Sequence, residues 1–475
     1  MNPLFRLLIF TFFALPRGDA ATQKMEAPDA FYVPENPVYT IVASARDSAR
    51  FTLGKTLKQG PCKHLTAISS FVNPEGEVMS WHDFGNLEGP GWAANAVGGA
   101  WELYRFGSFL GEPDSQNSAL SIVDHVLECG FVSSTGFIRG YRETTTGQFC
   151  LNFKHHSDWF CPGSMAKIGF QLLLFADELE KGPRPAQMRE AARLCAEWIR
   201  QNINSTPNGW FPRRTTPDGK LYRKSPGKEE DPFWQSSADG LYILQLQAAL
   251  TERKLADYRK ELRASTETFM RVGGFYGSIN HDTYDPNENV AYSVAFRTLL
   301  LVSRVLEDRA IRDFAYAKCL AGLDQFKMRE DRNGVATKGL LYMEASWDTA
   351  YLWENAEAAL AMFEAAQDLR AEDPARSRKL ELDGLTILRA IAKHHYGPYG
   401  FLTEGVDWNN HVGQKHHIGQ VKHGAIQYTE PFLNNQHIIE PTLFYLDHLA
   451  TKTKTGDHTE WRDLEGNLLI RMMGF

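Results

Sequence analysis

The chain has 475 residues, 43% of them hydrophobic, and a formal net charge of −7. Such a length can bury a large core in two or three domains or in one repetitive domain. The net negative charge argues against nucleic acid as a partner, because surfaces that bind nucleic acid are basic.

The N-terminus has the pattern of a secretory signal peptide. Arg6 precedes the apolar run LLIFTFFAL, which ends at Pro16 and a small-residue exit. The run is shorter than the roughly 20 residues that span a bilayer, and charges interrupt every later apolar run, so we expect no membrane span. The sequence therefore predicts a signal peptide over 1–21, export to the periplasm or outside the cell, and one catalytic domain over 22–475.

Two kinds of helix alternate along the chain. Six Ala-, Gly- and Leu-rich segments begin near Trp92, Pro162, Trp234, Glu288, Asp348 and Asn434. An amphipathic helix follows each of them, over 116–129, 185–203, 254–270, 310–326, 375–395 and 459–473. This alternation predicts an all-α (α/α)6 barrel, with six parallel inner helices inside an antiparallel outer ring. An open solenoid of helical pairs is the alternative, but its inner helices face solvent and seldom are this apolar.

The connections from outer to inner helices are long, whereas those from inner to outer helices are short. Five of the long connections carry a short strand signal in which glycine adjoins an aromatic or aliphatic residue, over 135–141, 208–214, 273–279, 333–342 and 399–408. All long connections lead to inner-helix N-termini and so gather at one end of the barrel. We expect short β-hairpins and the functional site on that face.

Tryptophans gather at the same end. Of 11 tryptophans, those in long loops or first helical turns are Trp81, Trp92, Trp159, Trp210, Trp234, Trp347, Trp353 and Trp408. Taken singly, each fits ordinary loop packing. Together, aromatic rings on a polar concave surface suit the apolar faces of sugar rings.

Four segments carry a resemblance to a known family: WHDFGNLEGPGWAANAVGGAWELY, DWFCPGSMAKIGFQLLLFADEL, DPFWQSSADGLYILQLQAAL and ASWDTAYLWENAEAALAMFEAA. From about Tyr39 to the C-terminus the chain resembles the six-hairpin glycosidase superfamily. The resemblance implies an (α/α)6 barrel and a carbohydrate substrate. Relatives by fold include glucuronidases, unsaturated-uronyl hydrolases, polysaccharide lyases and sugar 2-epimerases. An epimerase would more often be cytoplasmic, so the predicted signal peptide favours a hydrolase.

The leading hypothesis is an exported glycoside hydrolase acting on a polysaccharide or oligosaccharide that contains uronic acid. Glycoside hydrolysis needs two carboxyl groups across the scissile bond. Asp348 and Glu430 are the predicted general acid and base or nucleophile, with Asp158 in reserve. Glu288 and Glu354 are expected to be plain charges at helix starts, where they stabilise the macrodipole.

The remaining predicted site residues bind substrate. Trp159, Trp234, Trp347 and Trp408 are expected to stack on sugars. Arg213, Arg214 and His281 are expected to hold a carboxylate, and the loop histidines His156 and His417 lie on the same face. Alternatively, these basic residues are solvated charges of a loop, because acidic residues adjoin them.

Two other functions remain open. A polysaccharide lyase on the same scaffold would use Tyr284, Tyr428 or His281 as its base. A glycan-binding protein without catalysis would leave the buried carboxylates unexplained. We expect no cofactor and no metal, because the histidines lack His-x-x-x-His helix spacing. A disulfide between Cys150 and Cys161 and a pair of free thiols are both compatible with the sequence.

Overall fold

The computed structural model describes residues 41–67, 71–79, 86–153, 158–222, 237–273, 275, 287–345, 348–396, 400–409, 424, 426 and 428–454. The predicted signal peptide and the predicted outer helix over 459–473 lie outside the described residues. So do the following candidate site residues: His156, Trp234, His281, Tyr284, Trp347 and His417.

The described residues are mostly helical. The helices are α1 (Ile41–Phe51), α2 (Ala96–Leu110), α3 (Pro113–Glu128), α4 (Pro162–Glu178), α5 (Pro183–Asn202), α6 (Asp239–Glu252), α7 (Arg259–Val272), α8 (Asn289–Leu306), α9 (Arg309–Phe314), α10 (Leu352–Leu369), α11 (Pro374–Ala392) and α12 (Ile439–Lys454). A π-helical segment, Ala315–Leu320, continues α9, and another, Pro431–Asn435, precedes α12. Proline opens α3, α4, α5 and α11, at the position where a helix needs no backbone N–H.

The inner ring is closed. Helices α2, α4, α6, α8, α10 and α12 each pack on the next, and α12 also packs on α2. These helices are buried on nearly every side, as their small and apolar sequences require. The (α/α)6 barrel predicted from the sequence is therefore confirmed, and the open solenoid is excluded.

The outer ring holds one unpredicted helix. Helices α3, α5, α7, α9 and α11 pack against the inner helices that precede them. For the last inner helix, α12, the outer neighbour among the described residues is α1, which also contacts α11. The N-terminal segment of the folded chain thus closes the barrel.

The strands are short and lie in connections that lead to inner helices. They are β1 (Leu57–Gln59), β2 (Leu65–Ala67), β3 (Leu87–Glu88), β4 (Tyr141–Glu143), β5 (Phe149–Cys150), β6 (Thr349–Tyr351), β7 (His395–Tyr396), β8 (Phe401–Leu402) and β9 (Gly405–Asp407). The pairs β1–β2, β3–β4, β4–β5, β6–β9 and β7–β8 are all antiparallel. Their position confirms short strands on the face where inner helices begin.

The start of α10 differs from the prediction. A helix was expected from about Asp348, but Thr349, Ala350 and Tyr351 form β6, which pairs with β9. The helix begins only at Leu352. Asp348 therefore lies in a loop beside the strand pair and is not a helix-start residue.

The structure decides between the alternatives for cysteine pairing and adds a disulfide that was not expected. Of the two possibilities left open, Cys150 and Cys161 are free thiols and form no bridge. Cys62 and Cys129 form a disulfide, with their Cα atoms 6.0 Å apart, and it joins the β1–β2 turn to the end of α3. Cys129 lies at the C-cap of its helix, where the β1–β2 turn passes close enough for pairing.

One described helix, α8, is long and apolar enough to cross a membrane by composition, and 78% of the relevant window is buried in the barrel. That burial is typical of a core helix.

Candidate functional site at the barrel axis

A polar recess lies between the inner helices, and every inner helix contributes to its wall. The polar lining residues are Trp101, Glu102, Lys167, Gln171, Tyr242, Gln245, Arg297, Glu357, His437 and Glu440. Glu102 and Glu357 lie in the second turn of α2 and α10, so the recess is about 7–9 Å below the helix starts at 1.5 Å per residue. Charged side chains on helices that are otherwise small and apolar therefore point to the axis.

His437 lies between two carboxylates. Its Nδ1 atom is 3.3 Å from Glu102 Oε1, and its Nε2 atom is 3.2 Å from Glu357 Oε1. Burial alone would lower the pKa of His437, but the two carboxylates outweigh burial and raise that pKa to about 9. Both ring nitrogens face acceptors, so the imidazolium is the form that fits this position.

Glu102 differs from Glu357 although both contact the same imidazole. Burial raises the pKa of Glu102 to about 7, against the opposing effect of His437. Its Oε2 atom is buried and has no hydrogen-bond partner among the described residues. A carboxyl group with a pKa near neutrality and one free oxygen can both accept and donate a proton.

Arg297 anchors the far side of the network. Its guanidinium contacts Glu357 Oε2, Glu364 Oε1 at 3.0 Å and Glu440 Oε1 at 3.3 Å. Burial alone would raise the pKa of Glu357, but Arg297 and His437 outweigh burial and hold that pKa well below its usual range. Because both oxygens of Glu357 are engaged, it supports His437 and is not available to attack a substrate.

Lys167 is the other cation in the recess. Its Nζ atom is buried, has no hydrogen-bond partner among the described residues, and lies 5.6 Å from the centroid of the Tyr242 ring. Burial lowers the pKa of Lys167, although Glu357, Glu440 and Glu102 act in the opposite direction. Buried charged groups destabilise a fold unless they are paired, so such groups often mark functional sites.

The same network holds the closest approach to a metal site. Ligand atoms of Glu102, His437 and Glu440 lie within 4.8 Å of one another, as do those of Cys62, His125 and Cys129. At the axis, however, Arg297 already pairs with Glu440, and Lys167 adds a second cation, which opposes binding of a further cation. In the second group the two cysteines form the disulfide.

A separate row of buried carboxyl groups lies at the starts of α6, α8 and α10. Asp239 forms a 3.4 Å ion pair with Arg213 and accepts a 3.0 Å hydrogen bond from Ser237. Glu354 Oε2 accepts a 2.8 Å hydrogen bond from Asn289 Nδ2. Burial, and then the Glu288 carboxyl group, raise the pKa of Glu354 well above its usual range. Burial and Glu288 therefore favour the neutral form of Glu354, which differs from the plain helix-start charge that was expected.

The predicted acid–base pair occupies two different environments. Asp348 accepts hydrogen bonds from Trp408 Nε1 at 3.2 Å and from Asn409 Nδ2 at 2.6 Å. These bonds connect the loop before β6 to the end of β9. Glu430 is buried before the π-helical segment and accepts a 3.4 Å hydrogen bond from Asn434. Asp158, the reserve candidate, is exposed.

The other described candidates pack against protein groups. The guanidinium of Arg214 lies 4.2 Å from the centroid of Trp159, and that of Arg332 lies 5.1 Å from Trp408. Arg213 is fully buried against Asp239. Tyr428 is also buried, which raises the pKa of its hydroxyl group well above the usual value, and its ring contacts Phe71 at 4.8 Å.

The axial residues carried a signal that sequence reasoning missed. Glu102, Lys167, Arg297 and Glu357 are charged residues inside inner helices that the pattern already marked as buried on all sides. Such a residue must be paired or face a polar cavity. Asking which charges interrupt the inner helices would have led to the recess.

Comparisons with known proteins agree on the fold. No family model matches the chain, and no curated protein matches it by sequence. Among solved structures, cellobiose 2-epimerase from Bacillus thermoamylovorans B4167 is similar, with 10% identity, a TM-score of 0.56, and coverage of 86% of this chain and 99% of that one.

Two further solved structures are similar at the same level. A sugar epimerase from a ruminal bacterium has 13% identity and a TM-score of 0.55, covering 85% of this chain and 99% of that one. A family 76 glycoside hydrolase from a bovine Bacteroides thetaiotaomicron strain has 10% identity and a TM-score of 0.51, covering 86% and 78%. The protein thus has the same (α/α)6-barrel fold as these solved structures.

Proposed function

We propose that the protein is a carbohydrate-active enzyme that moves a proton on a sugar, as epimerases and isomerases do, with Glu102 as the general acid–base. One observation carries this proposal: the free oxygen of Glu102, whose pKa is raised to about 7, faces the recess while His437 holds its other oxygen. The general acid–base that works best has a pKa near the working pH.

The surrounding residues fit supporting roles. His437 stabilises the ionised form of Glu102 through the 3.3 Å contact, and Glu357 with Arg297 keeps the imidazolium oriented. Glu102 would take the proton from a carbon next to the sugar's carbonyl group, leaving an enediolate, and would return a proton in the reverse step. The electron pair of the broken C–H bond forms the carbon–carbon double bond of the enediolate, and the π electron pair of the carbonyl group moves to its oxygen.

The lining of the recess suits a sugar. All six inner helices contribute polar side chains to its wall, and these can bind the hydroxyl groups of a carbohydrate. Two of the structures with a similar fold are named as sugar epimerases, which agrees with the proposed proton transfer.

Glycoside hydrolysis is the second candidate, with an exported enzyme and a uronic-acid-containing glycan as the sequence predicts. The observation that favours it is the buried Glu354 carboxyl group beside Trp353 at the start of α10, whose pKa burial and Glu288 raise. A carboxyl group with a raised pKa is the usual general acid of glycosidases. Hydrolysis would also need a second, ionised carboxylate about 5–9.5 Å away.

The deciding experiment is incubation with reducing mono- and disaccharides in deuterium oxide. Proton transfer predicts deuterium at the carbon next to the carbonyl group and a new sugar isomer, both lost in Glu102→Gln. The exposed Glu180→Gln, at the end of the loop after α4, is the matched control. New reducing ends without deuterium would mean hydrolysis, and ultraviolet absorbance from a new double bond would mean elimination. Binding without any product would mean a glycan-binding protein.

A further inference from the structure

Two polar atoms on the wall of the recess are complementary and unpaired. Glu102 Oε2 is an acceptor and Lys167 Nζ is a donor, and both are buried without a hydrogen-bond partner among the described residues. An unsatisfied buried polar group destabilises the folded state, so two in one recess indicate groups that a ligand completes.

Lys167 is placed differently from Arg297. Three of the Arg297 nitrogens contact Glu357, Glu364 and Glu440, so its charge is already balanced by protein carboxylates. The Lys167 ammonium makes no such contact, although Glu357, Glu440 and Glu102 are the acidic groups that influence it and Arg297 is the basic one. The Tyr242 ring, 5.6 Å from Nζ, limits where the ammonium can lie.

We propose that Lys167 binds the sugar oxygen on which negative charge develops when Glu102 removes a proton, and that this sugar is neutral and not a uronate. The proposal rests on the proposed function for the role of Glu102. A preorganised donor aimed at a developing oxyanion stabilises the transition state more than the ground state. Lys167 is then a catalytic residue and not a structural one.

The neutral substrate follows from the charges around Lys167. Glu102, Glu357 and Glu440 line the same recess as Arg297 and His437, and these two basic groups already contact the three carboxylates. A sugar carboxylate would therefore meet three acidic groups, with Lys167 as the basic group that lacks a hydrogen-bond partner among the described residues. Like charges at short range in a partly buried site repel strongly. A carboxylate that did pair with Lys167 would also occupy the ammonium before the oxyanion formed.

The test compares Lys167→Met with Lys181→Met, an exposed lysine in the loop after α4. Deuterium incorporation would be followed with D-glucose, D-mannose and D-glucuronate as probes, and hexose binding would be followed by calorimetry. We expect Lys167→Met to lower kcat about 10²–10³-fold, as the loss of one oxyanion donor does, with a smaller change in KM. We expect Lys181→Met to behave as the parent protein, and D-glucuronate to be a poor substrate.

Thermal stability and the pH profile of turnover provide two further readouts, and a purely structural lysine would not give the expected result in both. Burial disfavours the charged form of Lys167, so Lys167→Met is expected to unfold at no lower a temperature than the parent. Lys167 also lowers the pKa of Glu102, alongside His437, while Glu440 raises it. The acidic limb of the kcat/KM profile should therefore move to higher pH in Lys167→Met.

The outcomes separate this proposal from the proposed function. If Glu102→Gln loses turnover but Lys167→Met keeps it within about threefold, the role of Lys167 is overturned and that of Glu102 stands. A higher kcat/KM on D-glucuronate than on either hexose overturns the neutral substrate. If the parent protein turns over no probe, the proposed function fails. In that case the binding measurement still tests Lys167. Its role is overturned as well if the parent protein binds no hexose, or if Lys167→Met binds hexose as the parent does.

Discussion

Helix α10 carries two fully buried glutamates one turn apart, and they differ in what faces them. Glu354, at the barrel mouth, faces the Glu288 carboxyl group, and burial together with Glu288 raises the pKa of Glu354 well above the usual range. Glu357, at the axis, faces Arg297 and His437, which hold its pKa low against the effect of burial. The comparison teaches that the partner, more than burial, decides whether a core carboxyl group is ionised.

The two regions therefore have different chemical capacities. In the mouth row, burial raises the pKa of Asp239, despite Arg213, and burial together with Glu288 raises the pKa of Glu354. The axial network alternates acidic and basic groups, and it positions Glu102 with a pKa of about 7. Reversible proton transfer at neutral pH fits the axis better than the mouth.

The largest expected effect sets the two regions directly against each other. Glu102→Gln should lower turnover about 10²–10⁴-fold, as expected when a general acid–base is removed, whereas Glu354→Gln should lower it less than about tenfold. Steady-state kinetics on the sugar identified in deuterium oxide would measure both. The reverse ranking would transfer the active site to the mouth and favour the hydrolase.

The second test concerns stability along the same helix. Glu357→Gln leaves Arg297 and His437 buried without their shared carboxylate and should reduce the free energy of unfolding by about 3–5 kcal/mol. Glu354→Gln replaces a neutral acid with a neutral amide of the same shape and should reduce it by less than about 1 kcal/mol. Urea denaturation near neutral pH would compare them. Equal losses would mean that Glu354 is ionised in the folded protein.

The third test uses pH. The folded-state pKa of Glu102, about 7, is raised from an unfolded value near 4.5, so its stabilising contribution is complete below about 4.5 and is lost as pH rises to about 7. The folded-state pKa of His437 is about 9, raised from an unfolded value of 6.5. The stabilising contribution of His437 is therefore complete below about pH 6.5 and is lost as pH rises to about 9.

Thermal denaturation across that range would measure the difference. Between about pH 5 and pH 7 the parent protein should lose about 2 kcal/mol more than Glu102→Gln, at 1.36 kcal/mol per pKa unit. Parallel curves for the two proteins over this interval would contradict the raised pKa of Glu102.

The barrel could be predicted from sequence because its cause is repetitive. Small and apolar inner helices alternate with amphipathic outer ones, and closure follows from burying six such faces together. Helix α1 could not be assigned to the outer ring in this way, because its role depends on contacts with α11 and α12, which are distant in sequence. The Cys62–Cys129 disulfide likewise joins residues 67 positions apart.

The site was harder to predict because the residue type alone does not reveal the partner. Asp348 and Glu357 are both acidic residues near the start of one inner segment, and only the fold shows that the first binds Trp408 while the second binds His437 and Arg297. The sequence predicted which end of the barrel holds the candidate site, but it did not predict how deep inside the barrel the site lies.

The smallest expected effect belongs to Asp348. Its side chain accepts hydrogen bonds from Trp408 and Asn409. Asp348→Asn preserves an acceptor for Trp408, so the free energy of unfolding should fall by only about 0.5–1.5 kcal/mol, and turnover should change less than about threefold. Urea denaturation and the deuterium assay, with Asp114→Asn at the exposed start of α3 as a control, would measure both quantities. A loss of turnover in Asp348→Asn as large as that in Glu102→Gln would restore Asp348 to the catalytic role that its sequence context predicts, and the axial network would then be a stabilising feature of the barrel.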